Sequence, residues 1–179
     1  GSVNRLPTNI PEVFSIVPEI HGDDRGFLFE SFRDSWLPGF NFVQDNHTHS
    51  IKGTIRGLHY QLDKPQGKLI RVIRGEVFDV AVDLRKSSPS FLSWTGKKLS
   101  AENKEIFWIP PGFAHGFMVL SQSADLIYRC TNYYAPDDEH TILWSDKKIG
   151  INWPLEGVEP ILSEKDRLGR DSKLSLYFS

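Results

Sequence analysis

The chain has 179 residues, the size of one domain, and is long enough to bury about 70% of its unfolded surface without staples. Charge is balanced, with 21 Lys+Arg against 23 Asp+Glu for a net −2, and 39% of residues are hydrophobic; this excludes a generic polycation for nucleic acid, though not a local basic pocket. The lone cysteine, Cys130, excludes an internal disulfide framework and a cysteine-based zinc cluster.

Along the chain 14 Gly and 11 Pro punctuate short apolar stretches, mostly of period two. In chain order the pattern predicts strands over Gly26–Phe32, Phe42–Asn46, Thr54–Gln61, Leu69–Ile73, Glu76–Leu84, Ile106–Ile109, Gly116–Leu120, Leu126–Tyr134 and Thr141–Trp144. Arg74-Gly75 reads as a tight turn between two of them. Helix is confined to a turn at Arg33–Leu37 and a short segment at Ser163–Leu168. Many short strands and frequent turns predict an all-β sandwich or barrel. No linker, repeat or composition shift divides the chain, so residues 1–179 are expected to form a single domain. No apolar run approaches the roughly 18 residues of a membrane helix, and no signal-peptide pattern opens the sequence, which points to the cytoplasm. Gly1-Ser2 has the character of a tag-cleavage remnant.

Strand parity orients side chains. Phe78, Val80, Val82 and Leu84 share one face and Asp79, Ala81 and Asp83 the other; an unbroken Leu126–Tyr134 strand aligns Tyr128, Cys130 and Tyr134, and Ala114–Leu120 groups His115, Phe117 and Val119. Such faces suit the inside of a ligand-holding barrel and equally a core with satisfied hydroxyls. His47-Thr48-His49 and the Pro110–His115 turn-strand resemble two halves of the cupin metal pattern, but Lys52 stands where the third ligand, a Glu, is required. A cation beside an incomplete set opposes a metal site.

Seven stretches carry a stronger signal together: Gly22–Phe27 (GDDRGF), Phe42–His47 (FVQDNH), Arg56–Gln61 (RGLHYQ), Gln66–Lys68 (QGK), Ile109–Gly116 (IPPGFAHG), Tyr133–Pro136 (YYAP) and Ser163–Asp166 (SEKD). In this order the chain, from about Pro11 to Asp166, closely resembles the thymidine-diphosphate 4-keto-6-deoxyglucose 3,5-epimerases, metal-free cupins of the dTDP-L-rhamnose pathway. The resemblance implies a double-stranded β-helix (cupin or jelly-roll sandwich), a nucleotide-sugar substrate, no cofactor, no nucleic-acid or membrane partner, and a homodimer in which an N-terminal segment completes the partner's sheet.

The chemistry it implies explains the residue types. A 4-ketone acidifies C3–H and C5–H; removing either proton leaves an enolate, and inversion needs a proton from the opposite ring face. The resemblance makes His59 the base and Asp166 its supporting carboxylate, although Ser163-x-x-Asp166 also reads as a helix cap that would turn the carboxylate away. Lys68 matches the cation facing the C4 oxyanion, and Tyr128 the opposite-face proton donor; their plain alternatives are a solvated turn lysine and a core tyrosine. Matched substrate contacts are Arg25, Phe27, Glu30, Gln44, Asp45, Asn46, Arg56, His115, Glu139 and Lys165, with Tyr134 stacking on the thymine. Phe27 and Phe29, beside Arg25, are expected near an interface as well as a site. Thr48 and His49 depart from the usual Ser and the usual basic or polar residue.

Rivals are an epimerase acting at C3 or C5 alone, a 3,4-ketoisomerase, a sugar-nucleotide sensor without turnover, and a metal-dependent dioxygenase. The ketoisomerase lacks the Arg56–His59 string in this form, a sensor has no use for an acid opposite a base, and the dioxygenase lacks its Glu.

Overall fold

The structure, a computed structural model, describes residues 3–179; Gly1-Ser2, the tag-like dipeptide, lies outside them. The strands are β1 (Asn4–Pro7), β2 (Phe14–Val17), β3 (His21–Asp23), β4 (Gly26–Leu28), β5 (Gln44–Ile51), β6 (Ile55–Gln61), β7 (Lys68–Arg74), β8 (Glu76–Asp83), β9 (Trp94–Ser100), β10 (Ile106–Ile109), β11 (Phe113–Val119), β12 (Ser123–Cys130) and β13 (Glu139–Thr141). The helix α1 spans Glu164–Arg167, and 3-10 turns occupy Asp34–Trp36 and Pro136–Asp138. The all-β class and the short helical segment agree with the sequence.

Two antiparallel sheets face each other. One has six strands in the order β1-β2-β10-β7-β12-β5, the other five in the order β13-β6-β11-β8-β9, and β3-β4 form a separate hairpin. Between the sheets lie Ile70, Val72, Val77, Ala81, Leu99, Phe107, Val119 and Leu126. The outer face of the five-stranded sheet is buried too: Val80, Val82 and Leu84 pack there on Ile142, Ile149 and Trp153 of the C-terminal segment. The apolar face predicted for β8 is therefore the outer one, and the polar face carrying Asp79 and Ala81 points into the sandwich.

Several local expectations are corrected. Arg74-Gly75 does turn, with Gly75 at φ +83°, but β7 and β8 do not pair; the chain crosses there from one sheet to the other. A Cβ at Gly75 would sit 2.2 Å from the Ser123 carbonyl oxygen, so this corner requires glycine. The strand predicted over Leu126–Tyr134 ends at Cys130, which releases Tyr133 and Tyr134 into a loop. β13 pairs with β6 through Glu139–Thr141, just before the predicted Thr141–Trp144.

Candidate active site

One end of the sandwich is open and holds a cavity of about 280 Å³. The inward rows of its strands are apolar at the closed end and polar at the mouth. On β12, Ala124 and Leu126 belong to the core and Tyr128 packs against it at the cavity, as the predicted parity requires. On β11, Phe113, Phe117 and Val119 are core residues and His115 reaches the cavity. β5 contributes Gln44, Asn46 and Thr48, and β7 contributes Lys68.

A bulge builds the opposite wall. Arg56 and His59 are three residues apart on β6, so strict alternation would send them to opposite faces. The register slips instead: His115 pairs with His59 but Phe117 pairs with Arg56, one extra residue on β6, and both side chains line the cavity. The slip depends on two glycines in contact. Gly57 has φ +123°, and a Cβ there would lie 2.6 Å from Gly116 Cα.

His59 Nε2 lies 2.5 Å from Asp166 Oδ1. Asp166 Oδ2 accepts the Gly57 N–H at 3.1 Å. The cap expected at Ser163 is also present, through a different atom: the Asp166 backbone N–H donates to Ser163 Oγ at 3.1 Å, leaving the carboxylate free for His59. α1 thus delivers a carboxylate that is 3% exposed to the imidazole. Burial tends to raise the Asp166 carboxyl, but the His59 hydrogen bond and charge, the Gly57 N–H and Lys165 outweigh it and hold it below the usual carboxylate range.

His59 stands on the five-stranded sheet, and Tyr128 and Lys68 on the six-stranded sheet across the cavity. Lys68 is 9% exposed, and burial lowers its ammonium from the ordinary range against opposing pull from Cys130, Glu139 and Asp79. Its Nζ lies 5.6 Å from the Tyr128 ring centroid. Burial raises the Tyr128 phenol, partly offset by a hydrogen bond with Asn46. His115 Nε2 lies 2.9 Å from both carboxylate oxygens of Asp79, and burial lowers the imidazole while it raises the carboxyl.

Of the residues singled out from the sequence, His59, Lys68, Tyr128, Gln44, Asn46, Arg56, His115, Tyr134 and Glu139 line this one cavity. Asp166 adjoins it through His59, and Lys165 ion-pairs with Glu139. Four do not converge here. Asp45 falls on the outward phase of β5 and approaches Arg129 at 3.4 Å. Arg25 pairs with Asp23 in the β3-β4 hairpin, Phe27 is 62% exposed on the same hairpin, and Glu30 is bonded by Arg33. His47 and His49 also face outward, both bonded to Asp125.

The sequence assigned no role to Thr48, Tyr60, Gln61, Gln66 or Phe117, which also line the cavity. The alternation of Gln44 and Asn46 carries on to Thr48, so β5 parity marks all three. Gln61 and Gln66 lay inside the quoted motifs, but nothing in their spacing shows what they bond.

A jelly-roll sandwich with an imidazole–carboxylate pair on one wall, and a phenol with a buried ammonium on the other, is the architecture of a cupin-type proton-transfer isomerase. The profile of the dTDP-4-dehydrorhamnose 3,5-epimerase family matches residues 7–173. A protein of that name from Pseudomonas aeruginosa is 53% identical over 166 residues, covering 90% of this chain and 91% of its own. Another from Shigella flexneri is 51% identical, covering 98% and 99%. The crystal structure of the Legionella pneumophila dTDP-6-deoxy-D-glucose-3,5-epimerase in complex with dTDP-4-keto-L-rhamnose superposes with a TM-score of 0.94 at 49% identity, covering 97% of this chain and 94% of that one. The chain belongs to the dTDP-4-dehydrorhamnose 3,5-epimerase family.

Proposed function

We propose that this chain, acting as one domain, epimerises dTDP-4-keto-6-deoxy-D-glucose at C3 and C5 to dTDP-4-keto-L-rhamnose, in the biosynthesis of dTDP-L-rhamnose. The observation that carries the reading is the His59–Asp166 dyad on the wall opposite Tyr128 and Lys68. With Nε2 bonded to Asp166, His59 Nδ1 is the basic nitrogen. It takes the proton from C3 or C5, the C–H electron pair becomes the enolate π bond, and the carbonyl electrons move onto the C4 oxygen. Lys68 meets that oxyanion, a kind of stabilisation commonly worth about 3–4 kcal/mol. Tyr128 returns a proton to the same carbon from the other face. Each inversion leaves an imidazolium and a phenolate, and exchange with solvent restores both before the next.

The remaining polar groups fit a nucleoside diphosphate sugar. Arg56 and Lys165 offer cationic donors to the diphosphate, His115 and Asn46 offer partners to sugar oxygens, and the Tyr134 ring, 49% exposed at the cavity mouth, offers a stacking face to the base. The chain further acts as a homodimer whose β3-β4 hairpin reaches the partner's cavity. In support, Arg25, Phe27 and Glu30 match substrate-contact positions yet lie away from their own cavity, and the hairpin leaves Phe27 and Leu28 at 62% and 68% exposure. No helix among the described residues is long and apolar enough to cross a membrane, and we place the enzyme in the cytoplasm.

The test is deuterium wash-in. Incubation with dTDP-4-keto-6-deoxyglucose in D₂O should label C3 and C5, with loss of both signals in His59→Ala. Label at a single carbon would reassign the chain to single-site epimerisation, and tight binding with no label at all would leave a sensor.

A further inference from the structure

Tyr134 is the half-exposed aromatic of the cavity lining, and its ring stacks on no aromatic neighbour among the described residues. A platform needs a fixed plane to gain from stacking, because a mobile ring loses part of that gain to ordering. The fixing comes from the backbone on either side of it. Three glutamines from three places in the chain bond the peptide groups of successive loop residues. Gln66 Nε2 donates to the Asn132 carbonyl at 2.9 Å, Gln61 Nε2 to the Tyr133 carbonyl at 3.1 Å, the Tyr134 N–H donates to Gln44 Oε1 at 3.1 Å, and the Ala135 N–H donates to Gln61 Oε1 at 2.8 Å.

Gln61 is central. It is 2% exposed, and its amide is spent on the protein: Nε2 donates to the Lys64 carbonyl at 2.8 Å as well as to Tyr133, and Oε1 accepts from Ala135. An amide has two donor hydrogens, so Gln61 has none left for a ligand although it forms part of the cavity wall. Gln44 is different, since its Nε2 also donates to Asn46 at 3.0 Å, and Asn46 hydrogen-bonds Tyr128.

We propose that Gln61, assisted by Gln44 and Gln66, is a positioning residue that clamps the 132–135 backbone and so fixes the point from which the Tyr134 ring meets the nucleobase, making nucleotide recognition depend on a side chain with no donor left for the nucleotide. This rests on the assignment of Tyr134 as the base platform. The clamp acts on the base end of the ligand alone; the diphosphate and the reacting sugar meet other groups.

The experiment is calorimetric binding of dTDP and of inorganic pyrophosphate, a probe without a base, to the full chain and to Gln61→Met, Tyr134→Ala and the double variant. The clamp predicts that Gln61→Met weakens dTDP about tenfold and leaves pyrophosphate within about twofold, and that adding it to Tyr134→Ala costs no more than about twofold further, since there is then no ring to hold. Wild-type dTDP affinity in Gln61→Met, or losses that multiply in the double variant, would overturn it. If Tyr134→Ala itself binds dTDP normally, the platform assignment fails and the clamp falls with it, a result distinct from failure of the clamp alone. Should Gln61→Met not fold, Gln66→Met removes one bond from a half-buried side chain, and the same selective loss is expected at about threefold; its absence would also overturn the proposal.

Discussion

His59 and Asp166 meet at 2.5 Å through Nε2 and Oδ1, and the orientation of that carboxylate is fixed from its other end by the Gly57 N–H on Oδ2. The second bond decides what an amide would do in its place. In Asp166→Asn the carbonyl oxygen must stay on Gly57, because an NH₂ there would oppose a donor with a donor. The NH₂ then faces His59 and requires Nε2 to accept, which moves the imidazole proton to Nδ1, the nitrogen that the proposed mechanism needs bare. Asp166→Asn should therefore fold and bind dTDP while losing about 10³–10⁴-fold in turnover, as expected of a base held in the wrong tautomer. Turnover and dTDP affinity measured on one preparation check this; loss of both together would assign Asp166 to folding.

The same carboxyl has a signature in stability. Its folded pKa is lowered, so the stability it contributes is present above its ordinary value near about 4 and is lost as pH falls through the lowered folded value. Urea unfolding of wild type and Asp166→Asn should show a gap that is constant at neutral pH and closes in acid. A gap that widens in acid would contradict the assignment.

Lys68 is the opposite case, a cation that the fold holds at a cost. Burial lowers its pKa, so the unfolded chain binds more protons between the folded and unfolded values, and stability rises with pH across that window, up to about 10.4. Lys68→Met should cut turnover by about 10²–10³-fold and yet stabilise the fold by about 1–4 kcal/mol, the range seen when buried ion pairs give way to apolar groups of similar volume. It should also remove the alkaline rise. Thermal melts between about pH 7 and 10 read both effects, and a destabilised Lys68→Met would mean that the ammonium is satisfied by partners in the fold.

Tyr128→Phe separates exchange from inversion. The proposed base on the other wall remains, so His59 can remove a proton and return a deuteron to the same face. Label should continue to enter the starting sugar while inverted product falls at least about 100-fold, the scale of a lost general acid. Loss of exchange and inversion in equal measure would place Tyr128 in the abstraction step instead.

Much of this was legible because strands alternate. The parity of β12 and β11 put Tyr128 and His115 on inward rows, and the β5 parity that brings Gln44 and Asn46 to the cavity also sends Asp45 out to Arg129. What alternation cannot show is its own interruption. Arg56 and His59 share a wall only through a bulge, and a one-residue slip has no sequence signal beyond the glycines that permit it. Nor does period two say which face of a strand is inside when both are buried, as on β8, where the apolar row packs outward beneath the C-terminal segment. Period two does not mark β1, β2 and β9, because Asn4–Pro7, Phe14–Val17 and Trp94–Ser100 mix polar and apolar residues without a sustained pattern. They are strands because neighbouring strands supply their hydrogen bonds.

The bulge gives a prediction of its own. A Cβ at Gly116 would lie 2.6 Å from the Arg56 carbonyl oxygen and 3.0 Å from Leu58 Cδ2, inside the pairing that sets the His59–His115 register. Gly116→Ala must push β6 and β11 apart, an overpacking cost of about 1–3 kcal/mol, or a Tm lower by about 3–10 °C at this chain length. Turnover should fall by more than the unfolded fraction explains, because the strand displaced is the one that carries His59, the proposed base. Melting and turnover at 20 °C together test this; a stable, fully active Gly116→Ala would show that the two strands can separate without moving His59.

The proposed dimer makes the hairpin and the base parts of different chains at each site, and this can be tested by complementation. Arg25 is 91% exposed on its side chain and bonded to Asp23 within its own hairpin, so nothing in its own chain explains a loss of turnover when it is removed. If it serves the partner's cavity, Arg25→Ala and His59→Ala should each be inactive or severely impaired as homodimers. Co-expressed in equal amounts, half of the dimers are mixed. In each mixed dimer the site that keeps His59 receives the hairpin that keeps Arg25, while the other site lacks both. Activity should therefore recover to about a quarter of wild type, the yield set by two-fold symmetry. No recovery beyond the two parents would place Arg25 in the service of its own chain, or of no site at all.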